Sequence, residues 1–192
     1  EDAYEPGMRP FLRSDLGWSA RLLDALPNVD WVACSGQMHD VAPELQTQLA
    51  FLGAVACTTK PILVYPYDRR GLLDILDAAS AIAGSREALR RRPFVFCASV
   101  PNAPLVQADY NLDILLACAE HEVPVVYHPH PAMGGNSPCN IPGTLVLANA
   151  DWLAGLTIHQ LKRPGAPFVS AGFTELLMDA RLGGSGLPLP PF

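Results

Sequence analysis

The chain has 192 residues, 49% of them hydrophobic and 17% charged, with a formal net charge of -6. This composition excludes a disordered chain, and the acidic balance gives no electrostatic reason for nucleic-acid binding. No run approaches the roughly 20 apolar residues of a membrane span, and the acidic, polar residues 1–10 carry no signal-peptide pattern.

Ser14 or Asp15 can cap a first helix carrying Leu16, Ala20, Leu23 and Leu26, which Pro27 and Asn28 end. Residues 29–34 read as a strand and 35–40 as its loop. The next helix spans residues 43–56, with Leu45, Leu49, Leu52 and Ala56 as its buried face. Residues 62–65 form a second strand, with Tyr67, Asp68 and Arg69 at its end. A helix over 71–83 follows, with Gly84 closing it, and then a helical stretch over 85–92. Residues 93–99 are a third strand. Asp109 caps a helix bearing Leu112, Leu115, Leu116 and Ala119.

The stretch 123–172 is the most informative. A short apolar run, 123–127, ends in His128-Pro129-His130 and a loop rich in Gly, Asn, Ser and Pro. A helix from about Pro142 to Leu161 stops at Arg163-Pro164-Gly165, and a fifth strand begins at 167–171. Strand, polar loop, helix, strand is a βαβ unit. In such units chemistry sits in the loop after the strand.

Five strand-like runs, centred near Ala33, Val64, Phe96, Val126 and Val169, thus alternate with helices. The pattern predicts a parallel α/β fold, either a doubly wound sheet or a (β/α)8 TIM-type barrel. No strand is followed by G-x-G-x-x-G or by a phosphate-binding G-x-x-x-x-G-K-[ST] loop, which disfavours nucleotide-binding versions. A barrel needs eight strands and typically about 250 residues. Residues 1–192 therefore read as a single barrel domain or a large part of one, with an irregular tail at 182–192 that leaves a sheet edge open. The absence of an initiator Met is consistent with residues lying outside this sequence. The five cysteines lack metal-type spacing, and most lie in apolar runs, which suggests buried free thiols in a reducing cytoplasm.

Several stretches then recur in one order: Gly84-Ser85-Arg86-Glu87-Ala88-Leu89 with Arg92-Pro93-Phe94, residues 134–138, and Pro142-Gly143-Thr144. The strongest is Asn149-Ala150-Asp151-Trp152-Leu153-Ala154-Gly155, followed by Gln160-Leu161 and Pro164-Gly165-Ala166-Pro167. In these the chain resembles the trimethylamine methyltransferase (MttB) family, which includes glycine betaine methyltransferases. Members resembling it usually read N-A-E where this chain has Asn149-Ala150-Asp151, and Thr-Leu-Ala-Gly where it has Asn140-Ile141-Pro142-Gly143. The resemblance implies a (β/α)8 barrel that moves a methyl group from a methylated amine or quaternary ammonium to a corrinoid (cobalamin) on a separate corrinoid protein. It assigns no catalytic residue. The family pattern continues past residue 192, and in trimethylamine-specific members a pyrrolysine falls in that later region.

A quaternary ammonium is held best by aromatic faces and a nearby carboxylate. Tyr65 and Tyr67 share strand parity and can wall such a pocket with Asp68 nearby; alternatively Tyr65 is core and Tyr67 packs on a helix. His128 and His130 also share parity. They can bind a substrate carboxylate, touch the corrin or, with His39, ligate a metal in a barrel hydrolase. The plainer reading has one His bonding the loop and the other solvated. Gly134, Gly135 and Asn136 can let backbone approach a bulky cofactor. Asn102 and Gln37 occupy equivalent positions after strands. The basic run Arg86, Arg90, Arg91 and Arg92 reads as a solvated helix end, His121 and His159 as structural, and Trp152, with Leu145, Ala148 and Leu156, as core. A non-catalytic binder of methylated amines, and a homo-oligomer that covers the open edges, remain compatible with the sequence.

Overall fold

The computed structural model describes residues 9–34 and 36–171, and the backbone of 178–179 and 184–185. In chain order the elements are α1 (Arg13–Ala25), β1 (Val32–Ala33), α2 (Gln46–Val55, after a 3-10 turn at Pro43–Leu45), β2 (Ile62–Val64) and α3 (Arg69–Ala83). There follow α4 (Arg86–Arg91), β3 (Val95–Ser99), α5 (Asp109–His121), β4 (Val125–Tyr127), α6 (Ile141–Lys162) and β5 (Phe168–Ser170). A separate antiparallel pair joins β6 (Met178–Asp179) to β7 (Gly184–Ser185). All five expected strand centres fall in strands.

Strands β1 to β5 are all parallel, in the order β1-β2-β3-β4-β5. A doubly wound sheet reverses direction at a switch point; this sheet advances one strand per crossover without reversal. Right-handed crossovers then send every helix to the same face. The packing agrees. Ile62, Val64, Val95, Cys97, Val125 and Tyr127 point into a core completed by helix residues such as Phe51, Leu72, Ile75, Leu115 and Cys118. The alternate strand residues, Leu63, Ala98 and Val126, cluster on the other face with Ala33, Phe96, Val169 and Ala171, and no helix contributes to that cluster.

Local signals differ from expectation in a few places. Neither Ser14 nor Asp15 is the cap of α1. Leu12 is, and Asp15 sits three residues inside, its carboxylate accepting from the Leu12 N–H at 2.8 Å. Asp109 is likewise the first helical residue of α5, after the cap Ala108; in both, an early carboxylate still complements the helix dipole. On α2 the buried residues are Gln46, Thr47, Phe51 and Ala54, while Leu45, Leu52 and Ala56 are exposed. The helix is apolar nearly all round, so spacing did not single out the face. Gly84 closes α3 at φ 90, as expected. Gly184–Ser185, expected within an irregular tail, pairs as a strand, because backbone pairing of two residues needs no side-chain pattern. In the basic run Arg86 pairs with Asp77 and Arg90 with Glu122 at the surface, and Arg163, outside the run, reaches the same Glu122.

Helix α6 is unusual. Its buried stripe is Thr144, Ala148, Asp151, Gly155 and His159, while Ile141, Leu145, Val146, Leu153 and Leu161 are exposed. Leu145 was expected inside and is not; Trp152 does pack against the core. At 22 residues and a mean hydropathy of 1.2, α6 is also long and apolar enough to cross a membrane by length and composition, contrary to expectation. Asn149, Asp151 and Gln160 interrupt its apolar run and hid that in the sequence. Three of its polar side chains, Thr144, Asp151 and His159, are fully buried among the described residues, although most of its apolar window is exposed.

The Tyr127 ring lies directly on the α6 backbone at Gly155: a Cβ there would come within 2.4 Å of ring carbons. An alanine normally stabilises a helix interior by about 1 kcal/mol over glycine. Here overpacking wins, because Tyr127 is fully buried and its hydroxyl is tied to Gln107 at 2.6 Å. Gly155→Ala is expected to lower unfolding free energy by about 1–3 kcal/mol, measured by urea denaturation.

His159 is fully buried, 5.2 Å centroid to centroid from Phe168, and burial holds its pKa below the ordinary value. The unfolded chain therefore takes up this proton first on acidification. The contribution of the neutral ring is whole above about pH 6.5 and is lost as pH falls through the lower folded value. His159→Leu should remove that component, so the loss of stability from pH 7 to 5 is smaller in the variant than in the natural chain.

Candidate functional site

Parity decides where the predicted residues point. Tyr65 follows β2 in the register of Leu63, and His128 follows β4 in the register of Val126. Both therefore lean toward the helix-free face at the C-terminal ends of the strands. There the Tyr65 and His128 rings meet edge to face, centroids 6.2 Å apart, although β3 separates their strands. His130 packs on His128 at 4.6 Å between centroids, and His128 Nδ1 lies 2.6 Å from His130 Nε2. One of these two nitrogens donates the proton and the other accepts it. Burial raises the Tyr65 phenol, with Cys34 adding to the effect, so it stays protonated at neutral pH.

Tyr65 also lines a cavity of about 280 Å³ with Tyr67, Gln37, Gln46, Thr47 and Cys34. The two tyrosines thus share one cavity, and Tyr65 joins it to the histidine pair. A wider groove of about 590 Å³ continues past Tyr67 toward Asp68, Glu44 and Asp74. The Asp68 carboxylate caps α3, accepting from the Gly71 N–H at 2.7 Å. Burial pushes the Cys34 thiol up to about 12, which leaves it a neutral wall rather than a nucleophile.

The loop after β4 is ordered by its own side chains. Gly134 adopts φ 77 and its N–H donates to Ser137 O at 3.0 Å. Asn136 accepts from the Ala132 N–H at 2.7 Å and donates to Ala103 O at 3.2 Å, tying this loop to the one after β3. Asn140 caps α6. Asn102 is exposed; it pairs through its backbone with Val106 and accepts from the Tyr110 hydroxyl at 3.4 Å. Tyr65, Tyr67 and Gln37 therefore gather at one cavity and His128 and His130 at its Tyr65 side, while Asn102 and the Gly134-Gly135-Asn136 turn form a linked pair of loops.

His39 does not join the other histidines: it is exposed and its N–H donates to Phe11 O. Among the described residues no three His, Cys, Asp or Glu side chains gather as a metal site, so the three-histidine arrangement is not assembled there. Two residues that sequence reasoning missed shape the site from beneath. Gln46, fully buried, bonds Met38 N, Met38 O and Val41 O, fixing the β1 loop. Gln107 accepts from Tyr127, whose phenol burial pushes up to about 12. A glutamine at the start of an apolar helix, as at Gln46, is the available sequence signal for such a bracing role.

A parallel α/β unit with aromatic and imidazole groups at the C-terminal ends of its strands is a class that holds small organic molecules by position. Residues 14–186 match the trimethylamine methyltransferase (MTTB) family, and the chain belongs to that family. The trimethylamine methyltransferase MttB of Desulfitobacterium hafniense (strain DSM 10664 / DCB-2) is 27% identical over 180 residues, covering 94% of this chain and 36% of that protein. A glycine betaine methyltransferase of Desulfitobacterium hafniense (strain Y51) is 29% identical over 117 residues, 61% of this chain and 24% of that protein. The MttB of Methanosarcina barkeri (strain Fusaro / DSM 804) is 27% identical over 157 residues, 81% and 32% respectively. The chain thus spans between a quarter and little more than a third of the length of these curated relatives.

The cap at Asp68 sets a test of structure against ligand contact. Asp68→Ala should cost about 1 kcal/mol through the lost cap, and Asp68→Asn only a few tenths. Thermal denaturation of the two variants measures the difference.

Proposed function

We propose that the protein containing this chain moves a methyl group from a methylated amine or quaternary ammonium to a corrinoid carried by a separate protein. Family membership over residues 14–186 is the observation that carries the reading. The names of the relatives, trimethylamine and glycine betaine methyltransferase, supply the donor classes. A quaternary ammonium has no N–H to donate, so aromatic faces are its natural partners. Tyr65 and Tyr67, on one cavity, suit that task. The groove beyond carries Asp68, Glu44 and Asp74 for the positive charge. His128 and His130, a hydrogen-bonded imidazole pair beside Tyr65, are polar groups at the edge of that cavity.

From a quaternary ammonium the departing amine is neutral, so the step needs little acid-base help; a tertiary amine reacts as its protonated ammonium, which likewise leaves a neutral amine. The residues need chiefly to hold the N-methyl carbon toward the acceptor, and positioning dominates the rate. The corrinoid is the methyl-accepting substrate. The exposed Gly134-Gly135-Asn136 turn, with no side chain at its two glycines, is the part of this chain suited to lie against its flat ring.

The same reading takes the five β/α units as part of a (β/α)8 barrel. Sequential parallel strands, helices on one face and a strand-only apolar cluster on the other support it. So does the exposed apolar side of α6, which further chain or a second copy would cover. Five free cysteines, three of them buried, fit a reducing cytoplasm.

The test uses the longest natural form of the protein with cob(I)alamin and trimethylamine, glycine betaine, carnitine or proline betaine, followed by the cobalt spectrum. One donor is expected to methylate the acceptor. Tyr65→Ala should raise the KM for that donor about two- to thirty-fold, the loss of a cation–π contact of about 0.5–2 kcal/mol. Binding without turnover by a folded protein would indicate a binder instead, and stoichiometric zinc on the histidines a hydrolase.

A further inference from the structure

Strand β3 ends beneath the two rings that meet at the candidate site. Tyr65 follows β2, His128 follows β4, and their contact spans the end of the strand between them. The last residue of β3, Ser99, is polar and fully buried. Its carbonyl accepts from the His128 N–H at 3.1 Å. Its side chain has the parity of Val95 and Cys97, toward the helix layer, and there its hydroxyl donates to Asn111 Oδ1 at 2.7 Å.

Asn111 is the third residue of α5 and is 3% exposed. The same Oδ1 accepts from the Val100 N–H at 3.0 Å. Val100 lies one residue past β3, so a side chain rather than a strand supplies its acceptor. An N–H can only donate, so Val100 fixes which end of the Asn111 amide faces β3. The Nδ2 group makes no hydrogen bond among the described residues. The side chain is thus used as an acceptor, twice through one oxygen. Its neighbour Tyr110 donates to Asn102 Oδ1 at 3.4 Å. The first turn of α5 therefore holds the chain at residues 99, 100 and 102.

We propose that Asn111 is a positioning residue for the Tyr65–His128–His130 ring cluster: its Oδ1 fixes the end of β3, and Ser99 passes that constraint through its carbonyl to the His128 backbone. It acts through the strand and touches no substrate. The geometric part stands whatever reaction the protein performs; only the kinetic readout rests on the methyl-transfer reading.

The test compares Asn111→Leu, Asn111→Asp and Ser99→Ala in the longest natural form of the protein. Leucine removes both bonds. Aspartate keeps the acceptor and loses only the Nδ2 donor, and its charge suits the first turn of a helix. Alanine at 99 removes the hydroxyl bond alone. Carbethoxylation of each histidine by diethyl pyrocarbonate is followed by peptide mass spectrometry. His39, exposed and away from the pair, reports reagent strength, and His159, fully buried, reports global opening. Loss of one hydrogen bond should speed modification of His128 and His130 about two- to tenfold in Ser99→Ala, and loss of both more than that in Asn111→Leu. Asn111→Asp should keep the natural rates, with His39 unchanged and His159 unmodified throughout. With the amine donor, Asn111→Leu should raise KM more than it lowers kcat, and Asn111→Asp should restore both. Natural rates at the pair in Asn111→Leu, or rates in Asn111→Asp as fast as in Asn111→Leu with His159 unmodified, would overturn the assignment. Should Asn111→Leu open His159 as well, Ser99→Ala decides alone: a rise confined to the pair supports the assignment, and natural rates or a rise shared with His159 overturn it. If the natural protein turns over no donor, the methyl-transfer reading falls and the modification rates still decide the role of Asn111.

Discussion

Parallel strands that advance in one direction leave, among the described residues, one face of the sheet without helices, and the meeting of Tyr65 with His128 depends on that, while the cavity beside Tyr65 reaches under α2. Side chains of period two sort between the faces. Tyr127 goes to the helix side and becomes core; His128, the next residue, goes to the other side and meets Tyr65 and His130. The same alternation puts Val64 inside and Tyr65 at the mouth. Two strand spacings are about 9–10 Å, yet the rings of Tyr65 and His128 meet at 6.2 Å. Both therefore lean over the end of β3, which is how residues from non-adjacent strands come to share one site.

The helix layer is held to the sheet by an equally specific contact. Gly155 has no side chain, so the Tyr127 ring can rest on the α6 backbone, and the hydroxyl then reaches Gln107 beyond it. That single stack joins β4, α6 and the loop after β3. It also explains the odd composition of the inner stripe of α6. Where a ring occupies the space of a side chain, the neighbours need not be large, and Thr144, Ala148 and Asp151 suffice.

The alternation of apolar runs and helical spacing located the centre of each strand in the five-stranded sheet, because a buried parallel strand is apolar on both faces and stands out whatever its exact ends. Parity put Tyr65 with Tyr67 and His128 with His130 on shared sides, but gave no direction to Tyr67 and His130, which lie beyond the strands. Their adjacency was not, since it depends on strand order, which pairs residues far apart in the chain. Helix faces failed where helices were apolar all round: on α2 and α6 several leucines at helical spacing point outward, and buried positions are held by Gln46 and Gly155, residues whose value lies in a hydrogen bond or a close approach. The three-histidine arrangement failed because His39 belongs to a loop whose own backbone bonds Phe11, which fixes it apart.

Asp151 and His159 make the cost of this arrangement visible. Each is fully buried on one helix, and burial shifts each toward its neutral form, the acid upward and the base downward. Burial thus disfavours the charged form of each, which is the cost of carrying both groups toward the sheet. The exposed side of the same helix is apolar, the reverse of a surface helix. A helix that buries polar groups inward and shows leucines outward is stable in water only when its outer side is covered. On α6 that exposed side is made by Ile141, Leu145, Val146, Leu153 and Leu161.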